Sequence, residues 1–80
     1  MTAHTMMTVP VQVRLGSTLY TYGVRCAPGS EPSPGDTVVI PGPWWLPGAE
    51  SQRVTLVNVG DGCVDTGYRG PLTLARVVRP

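Results

Sequence analysis

Lysine and phenylalanine are absent from these 80 residues, and histidine occurs once. Without lysine, all six basic residues are arginine, set against five acids for a net charge of +1. A domain that lives on phosphate contacts carries a clear basic excess, because each neutralised phosphate needs a cation. Strong, nonspecific nucleic-acid binding is therefore not expected. The lone histidine, His4, sits near the start, so no Ser–His–Asp or Cys–His set can be assembled around it. The carboxylates Asp36, Asp61 and Asp65 fall in glycine-punctuated turns rather than in facing pairs. His4, Cys26 and Cys63 match no zinc-ligand spacing. These shortages predict a protein that is not an enzyme and needs no metal or cofactor.

No run approaches the ~18 apolar residues of a membrane span, and no charged start leads into an apolar leader segment. The expected setting is the cytoplasm, with Cys26 and Cys63 as free thiols. A single disulfide between them is the alternative that sequence leaves open.

Valine is plentiful, with 12 residues, and Gly and Pro contribute 10 and 9. Glycines and prolines fall between valine-rich runs, as turns fall between short strands. Residues 1–7 show no periodicity and are expected to be a flexible start to one domain spanning 8–80. From Thr8 the period is two: Val9, Val11, Val13 and Leu15 face one way, Pro10, Gln12 and Arg14 the other. Pro10 argues for an edge or first-residue position. Gly16-Ser17 suits a type II′ hairpin turn, with Gly supplying the positive φ. The second strand, 18–25, sets Leu19, Thr21 and Gly23 against Tyr20, Tyr22 and Val24. Residues 27–36, with three prolines and two glycines, allow no regular element. Strands are then expected at 37–40, 53–59 and 72–78. The fold class is all-β: a five-stranded meander curling into a small closed or half-open barrel of SH3-like or OB-like size.

Three features could recognise a partner. Trp44 and Trp45 lie in a proline-framed loop, PGPWWLPG, where one ring can plug the barrel end and the other serve as an anchor. Tyr20 and Tyr22 share one strand face, as core aromatics or as a stacking platform. Arg14, Arg25, Arg53, Arg69, Arg76 and Arg79 are scattered, and most read as ordinary solvated charge.

Taken in order, VPVQVRL, Tyr20-Thr21-Tyr22, Gly35-Asp36-Thr37-Val38-Val39-Ile40-Pro41, Val54–Val59 and the closing LARVV resemble the N-terminal DNA-binding domain of the bacterial primosomal replication-restart helicase. That domain holds the 3′ end of a DNA strand in a pocket built on an aromatic–Asp–Tyr step. The resemblance implies a pocket at Tyr20, Thr21 and Tyr22, with Gly42 near its rim. Thr21 replaces the Asp, exchanging a carboxylate acceptor for a mixed hydroxyl. The chain also resembles small stand-alone proteins of actinobacterial phages. They share the aromatic-x-Tyr strand, the Gly-Asp-x-Val-x-Val-Pro strand, a Trp-containing loop and a late segment like Tyr68-Arg69-Gly70-Pro71. Together the two resemblances imply a phage-encoded accessory protein of the bacterial cytoplasm that binds single-stranded or exposed DNA ends. The alternative is a protein–protein interaction module that acts on a host factor or serves the virion.

Overall fold

The alternation of β-branched residues read from the sequence produces five strands. The computed structural model describes residues 5–41 and 51–78. The strands are β1 (Met7–Leu15), β2 (Thr18–Cys26), β3 (Thr37–Ile40), β4 (Gln52–Val59) and β5 (Arg76–Val78), with a short 3-10 turn at Gly60–Gly62. All pairings between the strands are antiparallel, and the sheet curls into a half-barrel. No helix among the described residues is long and apolar enough to cross a membrane.

β1 and β2 form the expected hairpin, in register from Met7↔Cys26 to Leu15↔Thr18. Gly16 alone takes a positive φ, 65°, in the two-residue connection, as a type II′ turn needs. The meander ends there. The strand order is β2-β1-β4-β3-β5, so β1 lies between β2 and β4 rather than at an edge. The ten residues 27–36 carry the chain from β2 past its neighbours to β3, which pairs with β4 and β5 instead. Pro10 is tolerated in this central strand for a local reason. Pairing of β1 with β4 begins only at Val11↔Val59, so no β4 carbonyl is waiting for the missing N–H.

β4 serves both halves of the sheet because it is bent. Gln12 faces Asn58 while Val13 faces Leu56, which leaves Val57 as an extra residue, 40% exposed. Such a bulge turns the strand and increases its twist. Residues 52–55 pair with β3, while Leu56, just before the bulge, and Asn58 and Val59, after it, pair with β1. The last expected strand is shorter than its valine-rich sequence suggests: β5 begins at Arg76, and Leu74 makes only an isolated parallel bridge to Gly23.

That bridge brings the two ends of the sheet together. The Gly23 amide donates to Thr73 O (2.9 Å), and the Ala75 amide donates to Gly23 O (2.8 Å). Gly23 therefore directs both its backbone groups away from Pro10, its partner on β1. A side chain would not fit: a Cβ at position 23 would stand 2.8 Å from Thr8 Cγ2. Inside the curl lie Val9, Val11, Val13, Val24, Cys26, Val38, Ile40, Leu56 and Ala75, all buried.

Candidate nucleic-acid interface

On its outer side, β1 carries a residue that the alternation assigns to solvent. Gln12 is completely buried, at 0% exposure. Its neighbours across the sheet are Asn58 on β4 and Thr21 on β2, and the segment after the 3-10 turn lies over all three. Gln12 Nε2 donates to Val64 O (2.6 Å) and to Thr21 Oγ1 (3.1 Å). Its Oε1 accepts from Val64 N (2.9 Å) and Asn58 Nδ2 (2.8 Å). Both donors and both lone pairs are thus engaged. The paired bonds to Val64 also fix which way the amide points. Gln12 acts as a side-chain substitute for a strand, holding the passing backbone by its N–H and its C=O. Beside it, the Cys63 thiol donates to Pro10 O (3.5 Å), and burial pushes that thiol's pKa up. Cys26 and Cys63 are both free.

This attachment sets the course of residues 65–73 along the outer edge of β2. The segment braces itself. Asp65 Oδ1 accepts from the Gly67 amide (2.8 Å), and the Asp65 carboxylate pairs with Arg69 (3.0 Å). The Arg69 hydrogen bond, followed by that of Gly67, holds the Asp65 carboxyl below its usual pKa. The Tyr68 hydroxyl donates to Pro71 O (2.7 Å), which folds its ring over Gly70. A Cβ at Gly70 would lie 2.7 Å from Tyr68 Cζ, so the ring takes this place only because residue 70 has no side chain.

Between this braced segment and β2 runs a groove of about 360 Å³, lined by Leu19, Tyr20, Thr21, Tyr22, Thr66, Tyr68, Pro71 and Thr73. The expected step Tyr20-Thr21-Tyr22 therefore lines one concavity, to which Tyr68 adds a third tyrosine. Exposure falls along the strand: Tyr20 is 46% exposed, Tyr22 packs partly against the core, and Val24 is buried. Burial, with a smaller contribution from Tyr20, raises the Tyr22 phenol pKa, so its hydroxyl stays a proton donor at neutral pH. Thr21 Oγ1 already accepts from Gln12, which leaves its O–H to donate. No carboxylate is among the described residues that line the groove. It offers aromatic faces and hydroxyl donors, a surface suited to a flat ring bearing carbonyl or ring-nitrogen acceptors.

Of the other expected site residues, Gly42, Trp44 and Trp45 lie outside the described residues. Among the described residues there is no group of three or more His, Cys, Asp or Glu able to hold a metal ion. Gln12 and Tyr68 carry the groove's construction, yet neither stands among the expected binding residues. Tyr68 had a visible signal in the Tyr-x-Gly-Pro segment, and Gln12 had none. No protein-family model, curated protein or solved structure matches the chain.

Proposed function

We propose that this protein is a non-catalytic binding module for nucleic acid, taking a single DNA strand or an exposed end in the tyrosine groove. The observation that carries this reading is that Tyr20, Tyr22 and Tyr68 line one groove, with no carboxylate among its described lining residues. Bases stack on aromatic faces whatever their sequence, at about 1–3 kcal/mol each. The hydroxyls of Thr21 and Tyr22 then meet the acceptor-rich base edge. The helicase-domain resemblance points to the same step of β2. A phage accessory protein of the bacterial cytoplasm is the setting in which such a module fits.

Fluorescence anisotropy with a short labelled single strand tests this reading. Affinity should fall with salt, at a slope worth about two to four phosphates given the low net charge. Tyr22→Ala should cost about 1–3 kcal/mol of binding. Absence of binding to single-stranded or 3′-recessed DNA at low salt overturns the proposal and leaves the protein–protein alternative.

A further inference from the structure

The Gly23–Leu74 bridge divides the seam between β2 and residues 73–77 into two openings. The tyrosine groove lies on one side, at residues 19–22 of β2. On the other side is a larger cleft of about 630 Å³, which β2 borders with Val24, Arg25 and Cys26. Its opposite wall is Leu74, Ala75, Arg76 and Val77. The floor is apolar, since Val24, Cys26 and Ala75 belong to the core. Arg25 and Arg76 stand on facing walls, and the described residues that line the cleft, Ser30, Pro41 and Ser51 among them, include no Asp or Glu. Neither arginine has a hydrogen-bond or ion-pair partner among the described residues, where the ion pair is Arg69–Asp65. A third unpartnered arginine lies close by. Arg53 and Arg76 are the cross-strand partners of Val39 from its two sides, so the three share one face.

We propose that this cleft binds the sugar-phosphate backbone of a nucleic-acid strand, with a phosphate held between Arg25 and Arg76. This rests on the single-strand reading of the tyrosine groove and extends it. Two planar guanidiniums approaching from opposite walls match the tetrahedral, several-oxygen face of a phosphodiester. The apolar floor receives the sugar and, by excluding water, strengthens the charge attraction. The cleft is too large for a lone inorganic anion and suits a nucleotide-sized unit. At ~3.3 Å per residue, the midpoints of the two openings lie about 15 Å apart along β2. One strand of a few nucleotides reaches both, within the ~4–16 nucleotides that small barrels cover. The low net charge then sets no obstacle, because two or three arginines are gathered where the contact is made.

The test compares Arg25→Gln, Arg76→Gln and their double variant with Arg14→Gln. All three single changes give the same formal charge, and Arg14 lines neither opening. The probes are a labelled oligothymidine, an abasic strand of equal length, and a polyglutamate peptide. The double variant should bind both strands at least tenfold more weakly at low salt. Its salt slope should be shallower by about 0.7, the worth of the one phosphate that the two arginines share on a single strand. Arg14→Gln should change neither. Equal effects from Arg14→Gln, no effect from the double variant, or polyglutamate binding as tight as the abasic strand each overturn the cleft assignment. The two readings separate cleanly. If the abasic strand binds as tightly as oligothymidine and the arginine variants weaken both, the cleft stands and base stacking in the groove falls. If Tyr22→Ala weakens oligothymidine while the arginine variants leave it unchanged, the groove stands and the cleft falls. A parent that binds neither strand overturns both.

Discussion

Gln12 holds four bonds in a place with no water to replace them. Leucine of similar size would fill the space but strand the Val64 N–H and C=O and the Asn58 amide. An unsatisfied buried polar group costs about 1–3 kcal/mol, so Gln12→Leu should lose about 2–4 kcal/mol after partial relaxation, read from urea unfolding. Gln12→Glu should also be poor, because a carboxylate keeps the acceptor and loses both donors to Val64 O and Thr21. The sequence shows why this residue escapes notice. A period of two states which face a side chain takes, but not what lies over that face. Gln12 does leave the core side, as its position in VPVQVRL predicts, and then meets a segment 52 residues further along the chain. The same limit explains Tyr20 and Tyr22. Their shared face is legible, whereas the tyrosine that joins them in the groove arrives from a stretch with no periodicity at all.

Elements were more legible than their neighbours. The bounds of β3 fall where the Thr-Val-Val-Ile run and Pro41 predict them, and the β1–β2 hairpin comes from alternation and a Gly-Ser turn. A meander also gives the β3–β4 pairing, but not the pairing of β1 with β4 or of β3 with β5. A tight turn dictates its own pairing, but the ten-residue connection from β2 to β3 can deliver the chain to either side of the sheet. Burial of Val38, Ile40 and Leu56 in one core decides it. Gly23 is the element-scale weak point, because the strand must pass under Thr8 and beside Leu74. Gly23→Ala places a methyl 2.8 Å from Thr8 Cγ2, tighter than contact allows. The expected cost is about 1–3 kcal/mol from overpacking. Removing that methyl with Thr8→Ser should recover part of the loss in the double variant. Full additivity of the two changes in thermal or urea unfolding would show that the clash is relieved some other way.

Across the whole molecule, three groups among the described residues give stability a pH dependence. Cys63 and Tyr22 have folded-state pKa values raised by burial. Their contributions are fully present below the unfolded values, near ~8.5 and ~10, and are lost as pH rises through the folded ones. Asp65 has the opposite sense, so its contribution is present above about 3.9 and is lost as pH falls through its lowered value. Asp65 and Arg69 are solvated, so the acid limb should be shallow. Urea midpoints measured across pH should show a plateau between those limits and a decline on the alkaline side. Tyr22→Phe and Cys63→Ser should flatten that decline, and an unchanged alkaline limb in both would assign it to other groups.

Two backbone hydrogen bonds join the ends of the sheet at Gly23. Each contributes about 1 kcal/mol net, far below the ~5–15 kcal/mol that hold a whole domain folded. The ring is accordingly a clasp, able to unfasten while the valine core stays intact. Closed, it separates two openings; released, it makes them one continuous trough. A strand could then be laid in from the side at any point along its length, without a free end to thread. Any ligand that grips both walls would in turn keep the clasp shut, so tighter binding should slow the exchange of the Gly23 and Ala75 amide protons.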